Sequence, residues 1–84
     1  MRYEQISDLA QWEPHSVMVH VGQDQTALVR LYHLSTIPNE WFSIGDALRR
    51  AHSMVRLQPD YRDVVIYLED GASWEEEHGE LVAA

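Results

Sequence analysis

The sequence predicts a small single α+β domain in which a three-stranded mixed sheet, built as ββαβ, is covered on one face by one main helix, with short terminal helices. Three observations carry that expectation. Two β-type runs flank the turn cluster Gly22-Gln23-Asp24-Gln25, residues 43–58 repeat apolar side chains with helical period, and Val64-Val65-Ile66-Tyr67-Leu68 is a continuous apolar run of strand composition. At 84 residues the chain has room for one domain, 1–84, and no repeat or linker divides it.

In the first run, Val17, Val19 and Val21 alternate with Ser16, Met18 and His20 and so share one face. Residues 26–34 follow with Ala27, Val29, Leu31 and His33 on one parity. Dryness then selects the hairpin register, because a slip of one residue exchanges the faces of a strand. Pairing Val21 with Ala27 sets the valines against Ala27, Val29 and Leu31, whereas pairing Val21 with Thr26 sets them against Thr26, Leu28 and Arg30. The first choice is drier, needs a loop of odd length, and brings His15 opposite His33.

Residues 43–58 place Ile44, Ala47, Leu48, Ala51, Met54 and Val55 on one stripe. Ser43 has N-cap spacing to Asp46, Asp46 and Arg50 have the spacing of a favourable i,i+4 pair, and Pro59 forbids continuation. Such a helix is roughly 24 Å long at ~1.5 Å per residue, and a strand of about seven residues is roughly 23 Å long, so one helix suffices to cover the sheet. A right-handed crossover lays the strand at 64–68 parallel to the second strand and beside the first, in the order 2-1-3. Beyond Asp70-Gly71, Ser73 and Glu76 repeat the N-cap spacing, with Trp74, His78, Leu81 and Val82 on one side of an expected terminal helix. Leu9 and Trp12 point to another short helix ended by Pro14.

Charge is the unusual property of the chain. Fourteen acids face six basic residues, all of them Arg, for a formal net charge of -8. Direct binding to nucleic acid or to an anionic membrane is not expected, since both require clustered Lys and Arg. Cysteine is absent, which excludes a disulfide framework, and no apolar run resembles a signal peptide or a membrane span, so a cytoplasmic protein is expected. The acids are also unevenly placed. Residues 69–84 carry Glu69, Asp70, Glu75, Glu76, Glu77 and Glu80 with no basic residue, while residues 43–68 run slightly positive. Acids in the first turn of a helix complement its dipole, but that accounts for only part of the surplus.

Motifs for chemistry are sparse. There is no thiol nucleophile, no Gly-x-Ser-x-Gly elbow and no phosphate-cradling glycine loop, and a calcium loop aligned on Gly71 and Glu77 would need ligands from Ile66 and Leu68. The expected role is therefore non-enzymatic and without a cofactor. Its most concrete form is a small acidic inhibitor or nucleic-acid mimic that occupies a basic surface of a partner protein, using Glu69, Asp70, Glu75, Glu76, Glu77 and Glu80. Tyr32, Tyr67 and Trp74 are the aromatic contact candidates. The tail acids are expected by default to fold back onto the chain's own Arg49, Arg50 and Arg56, or else to meet those of a second copy; the alternatives for function are a homodimeric structural or regulatory protein and a small-ligand or metal site using His15 and His33 as weak ligand candidates. Met18, His20, Leu28, Arg30, Tyr32, Val65 and Tyr67 make the sheet face away from the helix too apolar to be fully wet, so it is expected to be covered or to be a contact surface.

Overall fold

In a computed structural model the described residues, 1–34 and 39–83, form a mixed sheet of six strands with one main helix on one face. The strands are β1 (Arg2–Ile6), β2 (Ser16–Val21), β3 (Thr26–Leu31), β4 (Phe42–Ser43), β5 (Asp63–Leu68) and β6 (Glu80–Ala83), and the helix is α1 (Ile44–Leu57). Their order across the sheet is β4-β3-β2-β5-β1-β6. The α+β character stands, but a three-stranded sheet flanked by terminal helices does not. Both terminal segments contribute strands instead, and β4 adds a short edge.

The hairpin of β2 and β3 pairs Val17 with Leu31, Val19 with Val29 and Val21 with Ala27, the register that dryness selects. Its loop is closed by the Gly22 N–H donating to the Thr26 carbonyl at 2.8 Å, and Gln25 takes the left-handed conformation at φ 59°. That is the arrangement of a three-residue hairpin loop. Helix α1 is capped by Ser43, whose side chain accepts from the Asp46 N–H, and it buries Ile44, Ala47, Leu48 and Ala51.

β5 lies between β2 and β1, parallel to both. Its apolar run is continuous because both faces are covered. Val64 and Ile66 join the core under α1 with Tyr3, Val17, Val19, Val21 and Ala27, while Val65 joins Ile6 and Met18 in a second core on the opposite face. Trp12 covers this second core, and its indole N–H donates to the Ser16 carbonyl at 3.0 Å. The expected N-terminal helix is only one 3-10 turn, Leu9–Gln11, held by Asp8 and Gln11 in a capping box.

The expected C-terminal helix is absent. Residues 73–82 give a 3-10 turn, Glu76–His78, and then β6, which runs parallel to β1 with Tyr3 beside Leu81. Gly79 turns the chain into that strand at φ 133°, and a Cβ there would lie 2.9 Å from the Met1 carbonyl oxygen and 2.8 Å from the Tyr3 ring. The Trp74 indole N–H donates to the Gly79 carbonyl at 2.8 Å, and the ring packs edge-on against Tyr3. Helical spacing loses here because a packed indole and a left-handed glycine fix an extended exit.

Gly79→Ala should therefore lower stability by about 1–3 kcal/mol through strain and collision. Denaturant unfolding reads the loss, and hydrogen exchange should show it first in the β6 amides. Unchanged stability and exchange would rule out this account of the tail.

Candidate partner-binding surface

The C-terminal acids are held apart by the fold. Glu69 and Asp70 follow β5 at one end of the sheet, beside the β2–β3 turn: the Glu69 N–H donates to the Val21 carbonyl at 3.0 Å, and the Gln23 side-chain amide donates to the Asp70 carbonyl at 2.8 Å. Glu75, Glu76 and Glu77 project from the turn that Trp74 docks, and all three are exposed. Glu80 opens β6, where it pairs with Arg2 at 3.2 Å. Both of those side chains are well exposed, so the pair contributes no more than about 1 kcal/mol.

No tail carboxylate pairs with Arg49, Arg50 or Arg56 among the described residues. Those arginines have other neighbours. Arg49 pairs with Asp46, in place of the expected Asp46–Arg50 pair, while Arg50 lies over the Phe42 ring at 4.1 Å and Arg56 reaches the Ser53 hydroxyl at 3.5 Å. Arg49, Arg50, Phe42, Val29, Met54 and Leu57 wall a cavity of about 500 Å3 at the α1–β3 side. Glu40 and Asp46 offset the two guanidinium charges there, so the cavity has no strong charge preference.

Within the tail, Glu75 and Glu77 approach each other closely. The Glu75 carboxyl is raised from its ordinary range, first by hydrogen bonding to Glu77 and then by the charge of Glu77. Glu75, Glu77 and His78 bring three potential metal-ligand atoms within 4.8 Å, on an exposed turn whose acids need no ion to explain them. His15 and His33 do not form a site of this kind. β2 begins at Ser16 and β3 ends at Leu31, so the ladder stops before it reaches them. His33 is exposed in the following turn, and His15 Nδ1 lies 3.3 Å from Glu13.

Of the aromatic candidates, Trp74 is occupied within the chain by Tyr3 and His78. Tyr32 is exposed and sits edge-on to Trp12, and Tyr67 is half-buried and edge-on to His20. The face away from α1 is therefore largely covered: Met18, Leu28 and Val65 are buried, and Trp12, Tyr32 and Trp41 pack over its described parts.

Two features have no local sequence signal. One is Trp41, which lies against Gly22 so closely that a Cβ at position 22 would stand 2.7 Å from the indole. Together with Gly22, Gln23, Asp24, Thr26 and Glu69 it lines an open cavity of about 400 Å3 just beyond the ends of β2 and β5. Residues 22 and 41 meet only through the sheet, so no spacing rule could join them.

The other is His20, held edge-on between Tyr67 and Trp41 at centroid distances of 5.0 and 6.2 Å. Both of its ring nitrogens are buried and have no hydrogen-bond partner among the described residues. Burial pulls its pKa below the ordinary 6.5; the Glu69 carboxylate opposes that shift, and the Arg30 guanidinium reinforces it.

The unfolded chain thus binds a proton at His20 more readily than the folded one, and this contribution to stability is lost as pH falls below about 6.5. Unfolding followed as a function of pH should show that slope, and His20→Leu should flatten it. The same variant removes two unsatisfied nitrogens, each worth about 1–3 kcal/mol, so it should be at least as stable as the parent near neutral pH. A variant that keeps the slope would exclude His20 as its source.

The chain matches no protein-family model, no curated protein and no solved structure in the comparisons made. No helix among the described residues is long and apolar enough to cross a membrane.

Proposed function

We propose that this protein is a non-enzymatic binding module whose acidic C-terminal segment engages a basic surface of a partner protein. The observation that carries the reading is that the tail is held in place while its charge is left unanswered. Trp74 and β6 fix residues 74–83 to the sheet, yet Glu69, Asp70, Glu75, Glu76 and Glu77 make no ion pair among the described residues. The mutual approach of Glu75 and Glu77 is unfavourable in the free protein and is relieved when a cation arrives.

Charge supports this reading, and phosphate-like geometry does not. The terminal helix that would array these acids regularly is absent, since residues 76–78 form a single 3-10 turn and residues 80–83 a strand. We place the encounter in the cytoplasm, a setting that suits a chain without cysteine.

The reading predicts binding to an oligo-arginine peptide that weakens steeply between about 0.05 M and 0.15 M salt. Replacing Glu75, Glu76 and Glu77 together by Gln should weaken it several-fold, while replacing Glu4 and Glu13 should not. Calorimetric titration of both variants checks this, and equal binding by the tail variant and the parent would sink the reading. Because the triple variant relieves repulsion between neighbours, its melting temperature should match or exceed that of the parent at low salt.

A further inference from the structure

We infer that the cavity between Trp41 and the β2–β3 turn is the subsite that receives one arginine side chain of the basic partner. This deepens the reading above and rests on it for the kind of partner, but the geometry that argues for it lies elsewhere than the Glu75–Glu77 turn.

The cavity measures about 400 Å3, and its charged lining groups are the carboxylates of Asp24 and Glu69. Neither carboxylate makes an ion pair among the described residues. The Gln23 side-chain amide donates to the Asp70 carbonyl and, being neutral, leaves the charge of the acids uncompensated. Arg30, the cation whose charge reaches neighbouring His20, is placed over the Trp12 ring at 5.4 Å. A ligand entering here meets two carboxylates that have no ion-pair partner among the described residues.

Trp41 lines the same cavity. Its side chain is 46% exposed although it is large and apolar, and its inner edge rests on Gly22 and against His20. The close approach to Gly22 leaves no space for a side chain between ring and turn. A partly exposed indole beside two carboxylates suits an organic cation. Of the cations a protein carries, guanidinium fits better than ammonium, because it is planar enough to stack on an indole while its fork reaches a carboxylate through two hydrogen bonds. The position is also a natural crevice: β2 and β5 run parallel and both end here, with Val21 beside Leu68.

The test is an NMR titration with a capped Gly-Arg-Gly peptide, using the same peptide with norleucine in place of Arg as the uncharged control. Saturable shifts are expected at the Trp41 indole N–H and at the Gly22 and Thr26 amides, with none from the control. Asp24→Asn combined with Glu69→Gln should weaken binding by about tenfold. Gly22→Ala provides a separate check, since its Cβ displaces the Trp41 edge that rests on Gly22 while the amide spectrum elsewhere reports an intact fold; binding should fall in step. Shifts centred on residues 75–78, equal shifts with norleucine, or unchanged binding in both variants would overturn the subsite. Those outcomes leave the acidic-tail reading standing, which fails instead if oligo-arginine binding is indifferent to the Glu75–Glu77 substitutions.

Discussion

β5 enters the sheet between β2 and β1, and the fold depends on its being sealed on both faces. All six of its residues pair with β2, and Val65, Ile66 and Tyr67 pair with β1 as well, so the backbone at its centre is matched on both sides. Val64 and Ile66 then require a cover on one face and Val65 on the other. α1 supplies the first cover and Trp12 the second, and the remaining elements are placed by those two requirements. Ser16 and Asp63 fix the register at the start of the pair, where the buried Ser16 hydroxyl donates to Asp63 at 2.5 Å. The backbone bond of 2.8 Å from the Arg62 N–H to the His15 carbonyl continues the ladder just before it.

The elements legible in the sequence are those whose signal is local and periodic. The hairpin register followed from three valines that had to meet apolar partners, and α1 followed from its stripe, Ser43 and Pro59. β1 gave no such signal, because Tyr3 faces the helix side and Ile6 the opposite side; the two strongest apolar residues of Arg2–Ile6 are three apart and obey no two-residue alternation. β6 was hidden for a different reason. Its residues have helical spacing, and only the contact of Gly79 with Met1 and Tyr3, some seventy-odd positions away in the chain, decides against the helix. The acids of the candidate surface were visible as composition, but Trp41 and Gly22 become neighbours only in the folded sheet.

β1 and the tail explain each other. Without β6, the free edge of β1 would present unpaired backbone groups, a template for pairing with other chains. With β6 in place, Trp74 can pack on Tyr3, whose hydroxyl in turn meets His52 Nε2 of α1 at 2.7 Å. The tail is thereby tied through one aromatic cluster to both the sheet and the helix. Acids carried on a backbone ordered in this way lose less conformational freedom on binding than acids on a loose tail.

The distribution of arginine completes the electrostatic argument. Arg2 answers Glu80, Arg49 answers Asp46, and Arg30 and Arg50 lie over aromatic rings. Each is engaged by a neighbour that fixes where its charge sits, and none is positioned against Glu75, Glu76 or Glu77. At physiological ionic strength, charges farther apart than about 8 Å are largely screened. The arginines therefore moderate the total charge of the molecule while forming no ion pair with Glu75, Glu76, Glu77, Asp24 or Glu69 among the described residues. A surface of that kind raises the encounter rate with a cationic partner before any contact forms. Apolar and stacking contacts at Trp41 would then govern how long the partner stays.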